Sequence, residues 1–416
     1  MWLRGFEREA GKQRGREGGG RDAGKLGRRE EDNSGDGELE FDVSGALVCC
    51  DSGERFPLEM PIWRSPVTGG LLDLEWASRF PLEAIAARAM TMWRYREALP
   101  LVGEVVSLGE TVTPLIEREV HGRRVLLKMD TRFASGSYKD RGAAVVVSHC
   151  ARIGVRHIVE DSSGNAGAAF AMYASAAEPG IACDIYVPEW ASPGKLIQVE
   201  VSGARLVRVP GTRADTSRAV WEAAQGSYYA SHSWNPFFFH GTKTFAFEVC
   251  EQLGWRSPGA VVVPTGNGTL LLGCAIGFEE LRRAGVIDRV PRLIAVQSRA
   301  CMPLVVAMEK GSGACEPFNA TATVAEGIAI ANPVRGAQCL AAIRASDGCA
   351  VAVGEEEVVA ALRWAVARGL FIEPTCASAI AAVARLREED AADGEVVVAI
   401  TGHGLKSAER VRQLVG

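Results

Sequence analysis

The stretch Phe133-Ala134-Ser135-Gly136-Ser137-Tyr138-Lys139-Asp140-Arg141-Gly142 places one lysine at the start of a predicted helix. An apolar run follows it and meets no helix-breaking residue before Gly154. Ser135 and Ser137 are hydroxyl residues of the kind that cap helix starts. The partial positive charge at a helix N-terminus disfavours an ammonium group on Lys139. This lysine is therefore either an ordinary solvated cation or a nucleophile, since a neutral amine attacks an aldehyde to form a Schiff base.

The composition predicts a globular protein that acts on a small molecule. The chain has 416 residues, of which 47% are hydrophobic, which is enough for more than one structural unit. The net charge of -5 argues against a nucleic-acid partner, which usually meets a basic face. The 11 cysteines show no paired spacing, so we expect reduced thiols and a cytoplasmic location.

The sequence also bears on membrane insertion, the N-terminal leader and assembly. The most apolar stretch, residues 260–278, is interrupted by proline, asparagine and glycine, so no membrane span is predicted. Residues 1–40 interleave glycine with charged residues and are predicted to be a disordered leader. The sequence leaves the oligomeric state open, with a homodimer as the working expectation.

Residues 41–75 carry the frame of a zinc ribbon without its ligands. Such a ribbon supplies four thiolates from two C-x-x-C pairs. Cys49 is retained, but Ser52, Ser65 and Thr68 occupy the other three positions. Neutral hydroxyls do not replace thiolates on zinc, so the sequence predicts a degenerate, metal-free ribbon.

Beyond the ribbon, short apolar runs alternate with amphipathic stretches. This alternation predicts an α/β fold with mainly parallel sheets, because parallel strands need crossover helices. One helix is predicted from Leu82 to Leu99, where apolar residues recur at helical spacing before Pro100. The predicted strands are 125–129, 158–159, 181–187, 206–209, 260–263, 293–296 and 396–400.

Two predicted strands end in loops suited to anions. The loop Asp161-Ser162-Ser163-Gly164-Asn165-Ala166-Gly167 opens a helix and offers hydroxyls, an amide and N–H groups. The loop Gly266-Asn267-Gly268-Thr269 opens another helix and suits a phosphate. Neither loop matches a nucleotide fingerprint, and each is also compatible with an ordinary strand-to-helix turn.

The lysine and the two loops occur in a set of motifs that resembles the threonine synthase branch of the fold type II pyridoxal-phosphate enzymes, in the tryptophan synthase beta superfamily. The similarity extends from about the ribbon to the C-terminus. The resemblance implies two doubly wound α/β domains with pyridoxal 5′-phosphate in the cleft between them. The smaller domain would span 133–235, and the larger would combine 76–132 with 236–416. The motifs that carry the resemblance are 137–142, 162–165, 266–269, 323–328, 373–375 and 401–406.

The resemblance also assigns site residues. Lys139 would form the Schiff base with the cofactor and move protons at the substrate α-carbon. Asn165 would bind the ring hydroxyl, and Thr401 would face the pyridine nitrogen. A threonine hydroxyl is too weak an acid to protonate that nitrogen, which favours elimination and replacement over transamination. The residues that would hold the cofactor phosphate are Gly266, Asn267, Gly268 and Thr269. The residues that would hold the substrate carboxylate are Ser162 and Ser163.

The chain departs from the family where the substrate phosphate is expected. Threonine synthases act on O-phosphohomoserine, and the family's arginine and asparagine are replaced here by Phe238 and His232. A phenyl ring does not bind phosphate as a guanidinium does. Either this chain binds another amino acid, or cations elsewhere take over the phosphate. The candidate cations are Arg141, Lys243 and Arg335.

The best single prediction of function is threonine synthase, which converts O-phosphohomoserine and water to threonine and phosphate. One alternative is a related lyase that acts by β-elimination or β-replacement on serine, phosphoserine, cysteate or diaminopropionate. The other is a catalytically silent protein that binds the cofactor. Retention of Lys139, Asn165, the phosphate loop and Thr401 argues against the silent alternative.

Overall fold

The computed structural model describes residues 45–191, 193–391 and 394–416, arranged around three β-sheets. The predicted leader, residues 1–40, lies outside the described residues, as do the first residues of the ribbon. The strands are β1 (Ala46–Cys49), β2 (Arg55–Phe56), β3 (Leu72–Glu75), β4 (Leu115–Val120), β5 (Arg123–Met129), β6 (His157–Glu160), β7 (Ala182–Pro188), β8 (Arg205–Val209), β9 (Tyr228–Tyr229), β10 (Ala260–Pro264), β11 (Arg292–Ser298), β12 (Cys349–Val353) and β13 (Val396–Ile400).

Helices cover the six-stranded sheet and the four-stranded sheet. The α-helices are α1 (Leu82–Ala87), α2 (Lys139–Arg152), α3 (Asn165–Ala176), α4 (Pro193–Val201), α5 (Arg213–Ala223), α6 (Pro236–Thr242), α7 (Thr244–Gln252), α8 (Thr269–Arg283), α9 (Pro303–Glu309), α10 (Gly336–Ala345), α11 (Glu355–Val366), α12 (Pro374–Ala382) and α13 (Ala408–Val415). Within the ranges given above, no helix is both long enough and apolar enough to cross a membrane. The cytoplasmic location and the homodimer stay predictions.

The six-stranded sheet has the order β12-β11-β10-β13-β5-β4. Its strands are parallel except for β4, which pairs antiparallel with β5. Central strands β10 and β13 are apolar and fully buried, as expected where helices cover both faces of a parallel sheet. Their carboxyl ends lead into the Gly266–Thr269 loop and Thr401, so the sheet brings these two predicted cofactor sites to one edge.

The four-stranded sheet has the order β8-β7-β6-β9 and is parallel throughout. Strand β6 lies inside it, and its carboxyl end leads into the serine-rich loop that opens α3. Helices α2 and α3 pack together, and their buried residues belong to the same core cluster. The parallel sheets with their covering helices confirm the predicted α/β fold, whereas the domain boundaries stay a prediction.

The third sheet, β2-β1-β3, is antiparallel and forms the ribbon. The Cys49 thiol lies 3.3 Å from the Thr68 hydroxyl and accepts a hydrogen bond from the Ser52 backbone at 3.5 Å. Ser65 accepts from the Thr68 backbone N–H at 3.2 Å. The four positions of a zinc ribbon thus converge here through hydrogen bonds. Within the described ranges, no group of three or more His, Cys, Asp and Glu residues could hold a metal.

The predicted single helix from Leu82 to Leu99 is wrong. Helix α1 ends at Ala87, and a 3-10 helix (Met92–Ala98) follows. Arg94 is only 3% exposed and donates to the Ile85 carbonyl at 3.2 and 2.7 Å. A buried guanidinium therefore satisfies a carbonyl near the end of α1, a contact that apolar spacing does not reveal.

Candidate active site

Lys139 is the first residue of α2, at a point where three loops meet. Its Nζ lies 3.1 Å from the Thr269 hydroxyl, which is also 2.6 Å from the Tyr138 hydroxyl. The Tyr138 backbone N–H donates to the Thr401 carbonyl at 3.0 Å. The lysine loop is therefore tied to the loops that follow β10 and β13. Tyr138 was not among the predicted site residues, although it precedes the lysine directly.

The predicted serine caps of this helix are wrong. Tyr138 is the N-cap, and no side chain caps it. Ser135 instead contacts the carboxyl group of Asp140: its backbone N–H donates to Oδ2 at 2.8 Å, and its hydroxyl donates to Oδ1. Asp140 thus holds the loop from within the helix, and the first turn beside Lys139 has no side-chain cap.

A buried ionic cluster fixes α2 beneath the lysine. The Arg141 guanidinium donates to Asp130 at 2.8 and 2.9 Å and to Glu248 at 2.5 and 2.9 Å. Glu248 also contacts Lys128 at 2.7 Å, and these side chains are almost fully buried. Burial opposes the charge of Arg141, but the two carboxylates raise its pKa above the usual value. The cluster ties the lysine helix to β5 and α7.

The Gly266–Thr269 loop packs closely against neighbouring side chains and opens α8. Gly268 has a φ of +79°, and a Cβ there would overlap the Cys339 sulfur. A Cβ on Gly266 would lie 2.9 Å from Ile330 Cγ1. Gly268 is the N-cap of α8, a 15-residue helix, and no side chain caps it. The backbone N–H groups of the first turn are therefore available to an anion. These features fit a phosphate group.

Asn165 and Thr401 each contact a residue at the start of α12, Glu373 and Cys376 respectively. The Asn165 amide, in the first residue of α3, donates to Glu373 Oε2 at 2.8 Å. The Thr401 hydroxyl lies 3.4 Å from the Cys376 sulfur. A Cβ on Gly402 would overlap the Glu373 carboxylate and lie 3.3 Å from Asn165 Nδ2, so the backbone after Thr401 passes close to both side chains.

Ser162 and Ser163 lie at the N-terminal end of α3. Ser162 is buried, and its hydroxyl accepts from the Gly164 N–H at 3.3 Å. A Cβ on Gly167 would overlap the Ser162 carbonyl, so this glycine allows the serine loop to fold onto the helix. Ser163 is half-buried. Their predicted contact with a substrate carboxylate stays a prediction.

Phe238 is fully buried beside the lysine rather than open to a pocket. Its ring centroid lies 5.5 Å from Lys139 Nζ and 5.9 Å from the Phe170 ring. A Cβ on Gly142 would lie 2.5 Å from the Phe238 ring, so helix α2 passes directly over the ring. The predicted substrate contact of Phe238 stays a prediction, and the structure shows a buried apolar ring near Lys139.

The three cations considered as substitutes for the missing arginine already hold carboxylates. Arg141 belongs to the ionic cluster described above. Lys243 Nζ lies 2.8 Å from Glu280 Oε1, and Arg335 Nη1 lies 2.9 Å from Asp73 Oδ1. All three cations are thus paired with carboxylates of the protein.

The structure adds a pair that the sequence did not reveal. His232 Nδ1 lies 2.6 Å from Glu160 Oε1, and His232 Nε2 lies 3.4 Å from Asn267 Nδ2. Glu160 is fully buried, and burial followed by the charge of Asp161 raises its pKa well above the usual value. Burial and the charge of Lys139 lower the pKa of His232. The signal that could have indicated this pair is the carboxylate of Glu160, at the end of a buried parallel strand.

Comparison with known proteins identifies the family of the chain. The profile of the family described as pyridoxal-phosphate dependent enzyme matches residues 106–402. The threonine synthase of Methanocaldococcus jannaschii is 35% identical over 378 residues, which cover 87% of this chain and 93% of that protein. The threonine synthase of Mycobacterium leprae is 32% identical over 327 residues, covering 76% of this chain and 88% of that protein.

Solved structures share the fold at lower identity. A pyridoxal 5′-phosphate-dependent aspartate racemase is 22% identical with a TM-score of 0.61, covering 70% of this chain and 90% of its own. Threonine deaminase isoform 2 from Solanum lycopersicum is 21% identical with a TM-score of 0.61, covering 73% and 83%. At these identities the likeness shows the fold alone.

Proposed function

Because this chain belongs to the pyridoxal-phosphate dependent enzyme family, with threonine synthases among its relatives, we propose that it is a lyase that eliminates or replaces a side-chain substituent of an amino acid. Its cofactor is pyridoxal 5′-phosphate. The observation that carries the proposal is the 3.1 Å contact between Lys139 Nζ and the hydroxyl of Thr269. This contact supports the proposal because the lysine amine lies beside the loop that we propose holds the cofactor phosphate.

The chain's own groups divide the work as follows. Backbone N–H groups of Gly266, Asn267, Gly268 and Thr269 would hold the phosphate. Asn165 would bind the ring hydroxyl, and Lys139 would take the proton from the substrate α-carbon. When bound, the cofactor stabilises the negative charge left on that carbon. Ser162 and Ser163 orient the substrate carboxylate at the start of α3.

The partner proposed for the ring nitrogen is uncharged. Thr401 would face it, and the neighbouring Cys376 is a neutral thiol because burial raises its pKa to about 12. A neutral partner leaves the ring a weaker electron sink than a carboxylate would. This supports departure of a side-chain group over transamination.

Two substrates fit this reaction class. The threonine synthase relatives favour O-phosphohomoserine, which would give threonine and phosphate. Phe238 as a buried apolar wall, together with the paired Arg141, Lys243 and Arg335, favours an amino acid with an uncharged hydroxyl such as serine. A phosphate group in this environment would lose a bidentate partner.

One assay panel tests the proposal and separates the two substrates. The cofactor-loaded protein is offered O-phosphohomoserine, serine, phosphoserine, cysteate and diaminopropionate, and phosphate, ammonia, keto acids and new amino acids are measured. We expect turnover of at least one substrate, and none in Lys139→Ala. A loaded protein that converts none of them would instead support the silent alternative.

A further inference from the structure

We propose that Tyr138 is a positioning residue for the cofactor phosphate: its hydroxyl orients the hydroxyl of Thr269 so that the Thr269 proton points towards that phosphate. The inference rests on the function proposed above, in which the Gly266–Thr269 loop would hold the phosphate. Tyr138 would act through Thr269 and would not touch the phosphate itself.

The Thr269 hydroxyl lies beside two side chains of the lysine loop. Its oxygen is 2.6 Å from the Tyr138 hydroxyl and 3.1 Å from Lys139 Nζ. Tyr138 is the N-cap of α2 and Lys139 its first residue, whereas Thr269 is the first residue of α8. The shorter of the two contacts, between the hydroxyls, therefore joins the N-terminal ends of two helices that are 131 positions apart in the sequence.

Tyr138 is held at its backbone and at its ring. Its backbone N–H donates to the Thr401 carbonyl at 3.0 Å. Its ring packs against the core cluster to which Leu270 of α8 belongs, and Lys139 Nζ lies 4.7 Å from the ring centroid. A side chain that packing holds in one orientation gives its neighbour a defined hydrogen-bond geometry. The Tyr138 hydroxyl is thus a fixed partner for Thr269.

The hydrogens of this arrangement favour one direction for the Thr269 proton. A threonine hydroxyl has two lone pairs and one proton, and a lysine ammonium is a donor only. Among the described residues, the Thr269 hydroxyl contacts only Tyr138 and Lys139. A hydrogen bond to an anion is about twice as strong as one between neutral groups, so a bound phosphate would take the Thr269 proton. The Tyr138 proton then points to the Thr269 oxygen.

The contribution of Tyr138 grows once Lys139 has reacted. When a lysine amine condenses with an aldehyde, the aldehyde oxygen leaves as water with two hydrogens of the amine. The nitrogen then keeps one hydrogen at most, so Lys139 becomes a poorer donor to Thr269. The Tyr138 hydroxyl is unchanged by that reaction and continues to orient Thr269.

The test compares pyridoxal 5′-phosphate with pyridoxal, which has the same ring and aldehyde but no phosphate. The full chain is freed of cofactor, and the dissociation constant of each compound is measured from the visible absorbance. Tyr138→Phe removes only the hydroxyl. It should lower the preference for pyridoxal 5′-phosphate over pyridoxal by up to about tenfold, the effect of one hydrogen bond. The affinity for pyridoxal should change little.

A second substitution tests whether Tyr138 acts through Thr269. Thr269→Val removes the threonine hydroxyl, so it should lower the same preference by itself. Adding Tyr138→Phe to Thr269→Val should then lower the preference no further, because the group that Tyr138 orients is already gone. Losses that add independently would show that Tyr138 acts by another route and would overturn the proposal.

The matched control is Tyr228→Phe. Tyr228 is buried, and its hydroxyl lies 2.7 Å from Asn235 Nδ2, so this variant also loses a tyrosine hydroxyl and its contact. We expect its preference for pyridoxal 5′-phosphate to equal that of the unmodified protein. A loss as large as that of Tyr138→Phe would show a general effect of removing a hydroxyl and would count against the proposal.

Phosphorus NMR of the loaded protein gives a readout that does not depend on affinity or turnover. The ³¹P shift of the bound phosphate should change in Tyr138→Phe and stay the same in Tyr228→Phe. An unchanged shift and an unchanged preference in Tyr138→Phe would refute the inference and leave the lyase proposal intact. If the unmodified protein binds pyridoxal as tightly as pyridoxal 5′-phosphate, the loop does not hold the phosphate, and the site proposed above fails as well.

Discussion

Lys139 Nζ and Thr269 Oγ1 are 3.1 Å apart, and each belongs to the first residue of a helix. Two helix N-termini thus converge on one point, and both present partial positive charge. This field favours an anion between the helices. The lysine amine therefore lies beside a place that suits a phosphate.

The first prediction concerns that amine. We expect the loaded protein to be yellow and Lys139→Ala to lose the visible absorbance band, because the amine that binds the cofactor is removed. After borohydride treatment, the labelled peptide should contain Lys139. Lys310→Ala is the control, since Lys310 is exposed and paired with Glu316 at 2.7 Å, and it should keep the band. A label on another lysine would contradict the assignment.

Local patterns predicted the strands of the sheet centre well. Val396–Ile400 is fully buried, and the apolar run in the sequence has the same bounds. Strand Cys349–Val353 escaped prediction because it is only half-buried over most of its length. Tyr228–Tyr229 spans two residues, too few for a periodic signal.

The candidate site also contains residues that local patterns predict and contacts that they do not. The motif residues Lys139, Asn165 and Thr401 could be named because each lies in a short local pattern. The Glu160–His232 contact joins residues 72 positions apart, and no local pattern encodes it. The apolar setting of Phe238 likewise depends on Gly142, which lies on another helix.

The second prediction concerns the buried ionic cluster. Glu248→Gln removes the carboxylate that Lys128 contacts and one of the two carboxylates that Arg141 contacts. The free energy of unfolding should therefore fall by about 3 to 5 kcal/mol. The control is Glu395→Gln, which breaks an exposed pair with Arg256. That change should cost less than about 1 kcal/mol. Urea unfolding measures the free energy lost in each variant. Equal losses would show that the buried cluster contributes no more stability than the exposed pair.

The third prediction concerns pH. Burial raises the pKa of Asp140 from 3.8 to about 7, despite hydrogen bonds from Ser135 that lower it. Between these values the folded chain binds a proton that the unfolded chain does not. The stabilisation from this group is therefore lost as pH rises towards 7, by up to roughly 4 kcal/mol.

Asp140→Asn removes that titration because an amide does not ionise. Urea unfolding from pH 4 to 8 should therefore show a flatter dependence in the variant than in the unmodified protein. Parallel profiles would mean that Asp140 does not titrate in this range.

The fourth prediction concerns the ribbon. Elemental analysis should find no stoichiometric zinc, because Ser52, Ser65 and Thr68 are hydroxyl residues. Replacing all three with cysteine should create a zinc site, since Thr68 Oγ1 already lies 3.3 Å from Cys49 Sγ. The double variant Ser52→Cys/Ser65→Cys, with one thiol fewer, should bind zinc more weakly. Stoichiometric zinc in the unmodified protein would overturn the prediction.

The last prediction concerns Phe238. An arginine there would restore the charge-assisted contacts to a phosphate, each worth roughly 1.5 to 3 kcal/mol. Two such contacts should raise the rate with O-phosphohomoserine relative to serine by about two orders of magnitude. Because Phe238 is fully buried under Gly142, we also expect Phe238→Arg to be less stable than the unmodified protein.

Phe238→Met separates the charge from the loss of the ring. It should retain the unmodified ratio of the two rates, since methionine fills apolar space without binding phosphate. The kcat/KM values for both substrates provide the ratio, and urea unfolding provides the stability. Efficient threonine formation by the unmodified protein, with an equal amount of phosphate released, would show that other groups bind the phosphate and that Phe238 does not exclude it.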